Sequence, residues 1–406
     1  MLKKIGLLLW LITLSLPQLT AQKTLKQIRT CLKDKKADEA MKLVQQMEKD
    51  TNTTEWARLF DYAKQAQIIK NDKENEKLYL KQAYDTAALF KTALTACDYI
   101  LKCDSAEQQL LNQEGEKPKY RKTNARILHD YYPNIHAGGR WFYARKDYAS
   151  AMGLLKMALD LPQQPIWGED KQVTTKAGYT AAAQLYLWAA YHSKNWTETN
   201  RYRSLALADT LTARRTSLEM LSLAAEARQD TADYRTLLLL GHKDYPSHPF
   251  FFTHLADFYA RTGRYDCQLA LADGRLAADD TDAWALEAKS LALINLKRYD
   301  EAIPAAEKCI AVDSTHTDAW YYVGLAYYSM AKAIVLPANI NSKAYQAAVA
   351  KQKQLYTLAQ PYMEEYRMKK PDEKAKWAPI LYQVYFSLNL GSRFEEMEQI
   401  IKTLAD

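Results

Sequence analysis

The chain has 406 residues, 48% of them apolar and 25% charged, with a formal net charge of +7 and five cysteines. Acids and bases are interspersed, and the densest basic run, "KPKYRK" at 117 to 122, reads as a solvated loop, so a nucleic-acid surface is excluded. Cys31, Cys97, Cys103, Cys267 and Cys309 are too few, and odd in number, for a disulfide scaffold; Cys97 and Cys103 point to different helix faces, and Cys267 and Cys309 read as buried free thiols.

The first residues read as a signal peptide over 1 to 21. Lys3 and Lys4 precede the apolar stretch "IGLLLWLITLSL", Pro17 breaks it, and "LTA" offers cleavage after Ala21. That run is shorter than the roughly 20 residues of a membrane span. The first cysteine is Cys31, so no acylation site stands at the mature start, and a soluble exported product without a membrane span is expected.

"KQIRTCLKDKKADEAMKLVQQMEK" then reads as a capping helix pair with Ala40 at its close-packing position, and 54 to 103 as amphipathic helix. Loops are expected at 104 to 121, 162 to 176 and 336 to 342. Between the first two, a unit over about 132 to 165 puts Gly139 at a small position, Tyr148 in a turn and Ala151 against the first helix. His129 and His136 straddle "DYYPNI" and are not expected to share a helix face. Residues 181 to 209 read as a further helix pair.

A period emerges downstream. "TGRYDCQLA" (262 to 270) superposes on "LKRYDEAIP" (296 to 304), an offset of 34 residues from Arg264 to Arg298. The same step relates "PFFFTHLADFYART", "AWALEAKSLALINL" and "TDAWYYVGLAYYSM", with units starting at Pro249, Ala283 and Thr317 and a looser one at Arg215. These units resemble the tetratricopeptide repeat. Its pattern places Phe252, Leu286 and Trp320 at the bulky fourth position, Ala256, Ser290 and Gly324 at the small eighth, and Ala302 at the small twentieth. Small faces large there because antiparallel helices approach closely only that way.

The third regular unit runs long. It closes at Pro371 through "LPANINSKAYQAAVAKQKQLYTLAQ", so residues around 337 to 360 are an insertion, read as a lengthened helix pair or an arm over the groove. "APILYQVYFSLNLGSRFEEMEQIIKTL" (378 to 404) supplies the last pair. The expected fold is an all-α, right-handed α-α superhelical solenoid. Degenerate repeats occupy 22 to 214 and regular ones 215 to 406 (249 to 282, 283 to 316, 317 to 371 with the insertion, and 378 to 406), in one continuous solenoid.

Enzyme signatures are missing from the sequence: no Gly-rich phosphate loop, GxSxG, HExxH or paired CxxC occurs, and His242, His248 and His254 are spaced around a turn. No catalytic residue, cofactor or metal is therefore assigned. The resemblance implies that positions two, five, nine and twelve of each first helix line a concave groove. The candidates drawn from them are Phe250, Asp257, Trp284, Glu287, Tyr321, Leu325 and Tyr328. The basic and Asn clamp that grips chaperone tails in this family has no counterpart, since Thr253 and Asp257, Glu287 and Leu291, and Tyr321 and Leu325 stand at its places.

An aromatic groove with acidic flanks suits a peptide or helix of another protein, with glycan stacking as the alternative. "ENEKLYLKQAYDTAALF" and "PYMEEYRMKKPDEKAKWAPILYQVYFSLNLG" are similar to exported envelope repeat proteins of Bacteroidetes. That resemblance implies a periplasmic scaffold with an envelope protein or peptide as partner. It also implies O-glycosylation sites of the Asp-Ser/Thr-apolar type at Thr86, Ser105, Thr210 and Thr231, with Thr210 and Ser105 expected first.

Overall fold

The computed structural model describes residues 21–50, 53–115, 117–167, 176–208 and 212–405. Residues 1 to 20 of the signal peptide expected over 1 to 21 lie outside them, as does Thr210, while Ala21 opens the first described helix. The described residues are helices and turns, with no strand among them. They form two compact units that divide in the sequence after Gln229.

The first unit holds α1 (21–33), α2 (Ala37–Glu48), α3 (Trp56–Tyr79), α4 (Thr86–Glu114), α5 (Arg121–Ala144), α6 (Tyr148–Asp160), α7 (Lys176–His192), α8 (Arg203–Ala206) and α9 (Thr212–Ala227). Successive helices pack on one another, and α5 also touches α7, as α7 touches α9, so first helices lie side by side. Ala40 is fully buried in the first pair, among Leu25, Ile28 and Val44. Gly139 is where α5 meets α6: a β-carbon there would stand 2.7 Å from the Leu155 side chain, and Ala151 is fully buried.

The second unit holds α10 (Thr231–Asp244), α11 (Pro249–Arg261), α12 (Tyr265–Leu276), α13 (Ala283–Asn295), α14 (Tyr299–Val312), α15 (Thr317–Lys332), α16 (Lys343–Lys369), α17 (Lys374–Ser387) and α18 (Gly391–Ala405). The helices α11, α13 and α15 begin at Pro249, Ala283 and Thr317, where the period puts them. Ala256, Ser290, Ala302 and Gly324 are all buried, so each small position receives its neighbour. The same first-helix contacts recur, from α11 to α13, α13 to α15 and α15 to α17.

A single backbone device closes most of the pairs. Lys35, Lys81, Lys146, Lys194, Gly263, Lys297 and Asn389 adopt left-handed φ between a first and a second helix. The following N–H returns to a carbonyl five residues back, as from Lys36 to Cys31, Arg264 to Tyr259, Arg298 to Leu293 and Leu390 to Tyr385. This paired closure satisfies helix-end carbonyls that otherwise lack partners. Among the second helices, α4 and α6 start on side-chain caps, with Asp85 accepting from Ala88 N at 2.9 Å and Asp147 from Ser150 N at 3.1 Å.

Several expectations need correction. Residues 104 to 114 are the last turns of α4, because Asp104 and Glu107 are buried rather than solvated: Asp104 pairs with Arg121 at 2.9 Å, and Glu107 accepts the Tyr120 N–H at 2.9 Å. The helix read as starting near 132 starts at Arg121 and carries Pro133 inside it, which puts His129 and His136 on one stripe two turns apart. Residues 161 to 167 form two short 3₁₀ turns rather than open loop. The second helix expected within 181 to 209 is reduced to a 3₁₀ turn at Glu198–Asn200 and one turn at α8. Cys267 is half-buried, not buried, while Cys97, Cys103 and Cys309 are buried, and all are free thiols. The insertion is a connection at 333 to 342 and a 27-residue α16, which packs antiparallel on α15 as a lengthened pair.

Candidate partner-binding groove

Three consecutive elements build the groove in the second unit. α11 and α13 lie side by side because Phe252 and Ala256 on one meet Ala285 and Ala288 on the other, over Ala272 of α12. Small residues on α13 hold the two axes close and leave a cavity of about 310 Å³ above them. Asp257 and Thr253 line it from α11, Trp284, Glu287 and Leu291 from α13, Gln268 from α12 and Tyr322 from α15.

Trp284 is the exposed aromatic of this site, with 53% of its surface accessible. Its ring stands edge-on against His316, 4.7 Å between centroids. His316 is itself fixed. Its Nδ1 meets the Glu287 carboxylate and its Nε2 lies 3.8 Å from Asp313, and only 8% of its side chain is exposed. The aromatic face is thus positioned by a buried ring held between two carboxylates. Asp257 on the opposite wall is exposed and pairs with Arg261 at 2.8 Å on its own helix.

The charge around this end of the groove is negative. Burial, followed by the Glu287 and Asp313 carboxylates, pushes the Cys309 thiol up to about 12. Burial and then the Asp318 and Glu287 carboxylates hold the Tyr322 phenol well above its ordinary value, so it stays protonated. Gln268 adds an acceptor: the residue is 2% exposed and its Oε1 has no hydrogen-bond partner.

The structure therefore brings Asp257, Trp284 and Glu287 together and leaves the other candidates elsewhere. Phe250 packs against His254, 4.0 Å between ring centroids, and does not line the cavity. Tyr321 packs 5.1 Å from Tyr366 with Lys376 over its ring. Tyr328 packs 6.1 Å from Tyr356, and Leu325 lies partly buried between the adjoining cores. These three are held against α16 and α17. Gln268 and Tyr322 escaped the sequence reading because the groove register names only four positions of each first helix. A glutamine on the apolar face of "YDCQLALA" was the available signal.

A larger cavity, about 630 Å³, lies in the first unit, lined by Arg29, Arg58, Tyr62, Glu107, Lys119 and Tyr120 among others. The "KPKYRK" stretch contributes to its wall. Beside it Lys64 and Asp61 form a buried pair, with Lys64 also donating to Asn124 Oδ1 at 2.9 Å. No group of residues suited to hold a metal occurs among the described residues, and no helix among them is long and apolar enough to cross a membrane.

Of the residues expected as O-glycosylation sites, Thr86 and Thr231 are the first residues of α4 and α10, each preceded by a capping aspartate, and Ser105 is exposed within α4. The Asp-Thr pairs thus have a structural role as helix starts.

No protein-family model matches the chain, and no curated protein matches it. Solved structures do match at the level of helical repeats. The C-terminal part of a TPR repeat-containing protein from Cytophaga hutchinsonii aligns at 11% identity over 66% of this chain and 95% of that one, with a TM-score of 0.42. A tetratricopeptide repeat protein from Parabacteroides merdae aligns at 15% identity over 68% and 99%, with a TM-score of 0.36. The TPR2AB domain of yeast Sti1, solved as a pHSP90 complex, aligns at 13% identity over 68% and 99%, with a TM-score of 0.23. The chain resembles tetratricopeptide-repeat proteins.

Proposed function

We propose that this chain is a non-catalytic protein-interaction scaffold, exported to the periplasm, which binds a peptide or helix of another envelope protein in the groove between α11 and α13. The supporting observation is Trp284, a half-exposed ring whose orientation is fixed by His316 inside a concave site. A rigid, pre-positioned aromatic gives large contact area at little entropic cost, which is the physics of an interface anchor.

The test is affinity capture of the tagged mature chain from its native envelope beside Trp284→Ala, with mass spectrometry of what is retained. Loss of one protein from the variant, with helical content unchanged, supports the reading. Equal capture by both chains overturns it. The exposed Trp284 face also suits sugar stacking, and retention of a glycan in place of a protein would favour that second reading.

A further inference from the structure

The lining of the groove is acidic. Its lining carries the Asp257 and Glu287 carboxylates and no lysine, arginine or histidine. Gln268 Oε1 is buried among them without a partner, in a residue 2% exposed. A buried acceptor left unsatisfied costs free energy, and native proteins pair nearly all of them. The exposed face of Trp284 lies in the same cavity, and an indole face attracts a cation. Glu287 is met by His316 and Asp257 pairs with Arg261 at 2.8 Å, so neither carboxylate is satisfied from within the lining itself.

We propose that the groove takes a cationic side chain of the partner, an arginine or lysine laid on the Trp284 face between Asp257 and Glu287, with Gln268 Oε1 accepting a hydrogen bond from it. This rests on the groove being the partner site. Guanidinium fits best, because it is planar enough to stack on indole while donating along its edge to several acceptors at once. The polarity is opposite to that of a groove built to hold a carboxylate.

The experiment uses the full mature chain with 5-fluorotryptophan incorporated and the Trp284 resonance assigned by its loss in Trp284→Phe. N-acetylarginine amide is titrated to high millimolar concentration beside its neutral isostere N-acetylcitrulline amide and N-acetylglutamate amide. The expected result is a saturable shift of the Trp284 signal by the arginine compound, with citrulline weaker by about tenfold and glutamate without effect. Asp257→Asn, on an exposed position, and Gln268→Leu each weaken arginine binding severalfold while the circular dichroism stays native. An arginine response no stronger than citrulline, no saturable shift, or an Asp257→Asn chain that binds arginine unchanged overturns the proposal. If the proposal fails while Trp284→Ala still loses its envelope partner, the groove stands and only its charge preference is wrong. If that capture is also unchanged, the groove reading itself has failed.

Discussion

Single positions in this fold carry opposite signs for the same substitution. At Gly241 in α10 a β-carbon would stand 2.2 Å from the ring of Phe251, which is fully buried and has no room to retreat. Gly241→Ala is expected to cost about 1–3 kcal/mol in urea unfolding. Gly274 in α12 has nothing within 4 Å and ordinary helical backbone, so Gly274→Ala is expected to stabilise by up to about 1 kcal/mol. Equal effects would contradict the packing described for α10 and α11. His136 supplies a pH dependence. Burial, then the Arg140 charge, holds its imidazolium form below the ordinary range, so the folded state keeps it neutral beside Tyr132. The unfolded chain takes up that proton first as pH falls through about 6.5, so the stability is present above that pH and is lost below it. The urea midpoint is expected to fall less between about pH 7 and 5 in His136→Gln than in the parent chain.

Helices and the turns between them show where the sequence is transparent and where it is opaque. The starts of α11, α13 and α15 were legible because one period repeats without interruption, and Asp257, Trp284 and Glu287 followed from that register. The end of α4 was not. Asp104 and Glu107 are acidic and look solvated in a linear reading, yet the chain turns back so that Arg121 pairs with Asp104 and the Tyr120 N–H, just before α5, donates to Glu107. Tyr321, Leu325 and Tyr328 obey the groove register, but the lengthened α16 and the start of α17 reach across and take their contacts, which no repeat pattern encodes. The α12 to α13 connection depends on one side chain. Asp282 caps α13 by accepting from Ala285 N at 3.0 Å and also pairs with Arg275, whose guanidinium lies 4.5 Å from the Phe252 ring centre. Asp282→Ala is expected to cost about 2 kcal/mol and Asp282→Asn about half of that, because the amide retains the cap and loses the ion pair. Chemical denaturation of both variants checks the difference.

At the scale of the molecule, each helix touches chiefly its neighbours in sequence, so burial is assembled from short-range contacts. Residues 230 to 406 contain their own cores, around Leu293, Cys309 and Val323 and around Tyr356, Tyr366 and Trp377. Expressed alone, that segment is expected to give a helical spectrum and a cooperative thermal transition; a broad, non-cooperative melt would refute its independence. The left-handed turns have a chemical side as well. Lys35, Lys81, Lys146, Lys194 and Lys297 hold that conformation and are exposed at the tips between helices. A protease that cleaves after lysine meets its recognition side chain where an exposed turn offers it most openly. Brief trypsin treatment of the native chain is therefore expected to cut first at the junctions inside helix pairs, so that the fragment masses form a ruler on which the spacing of the repeats is written.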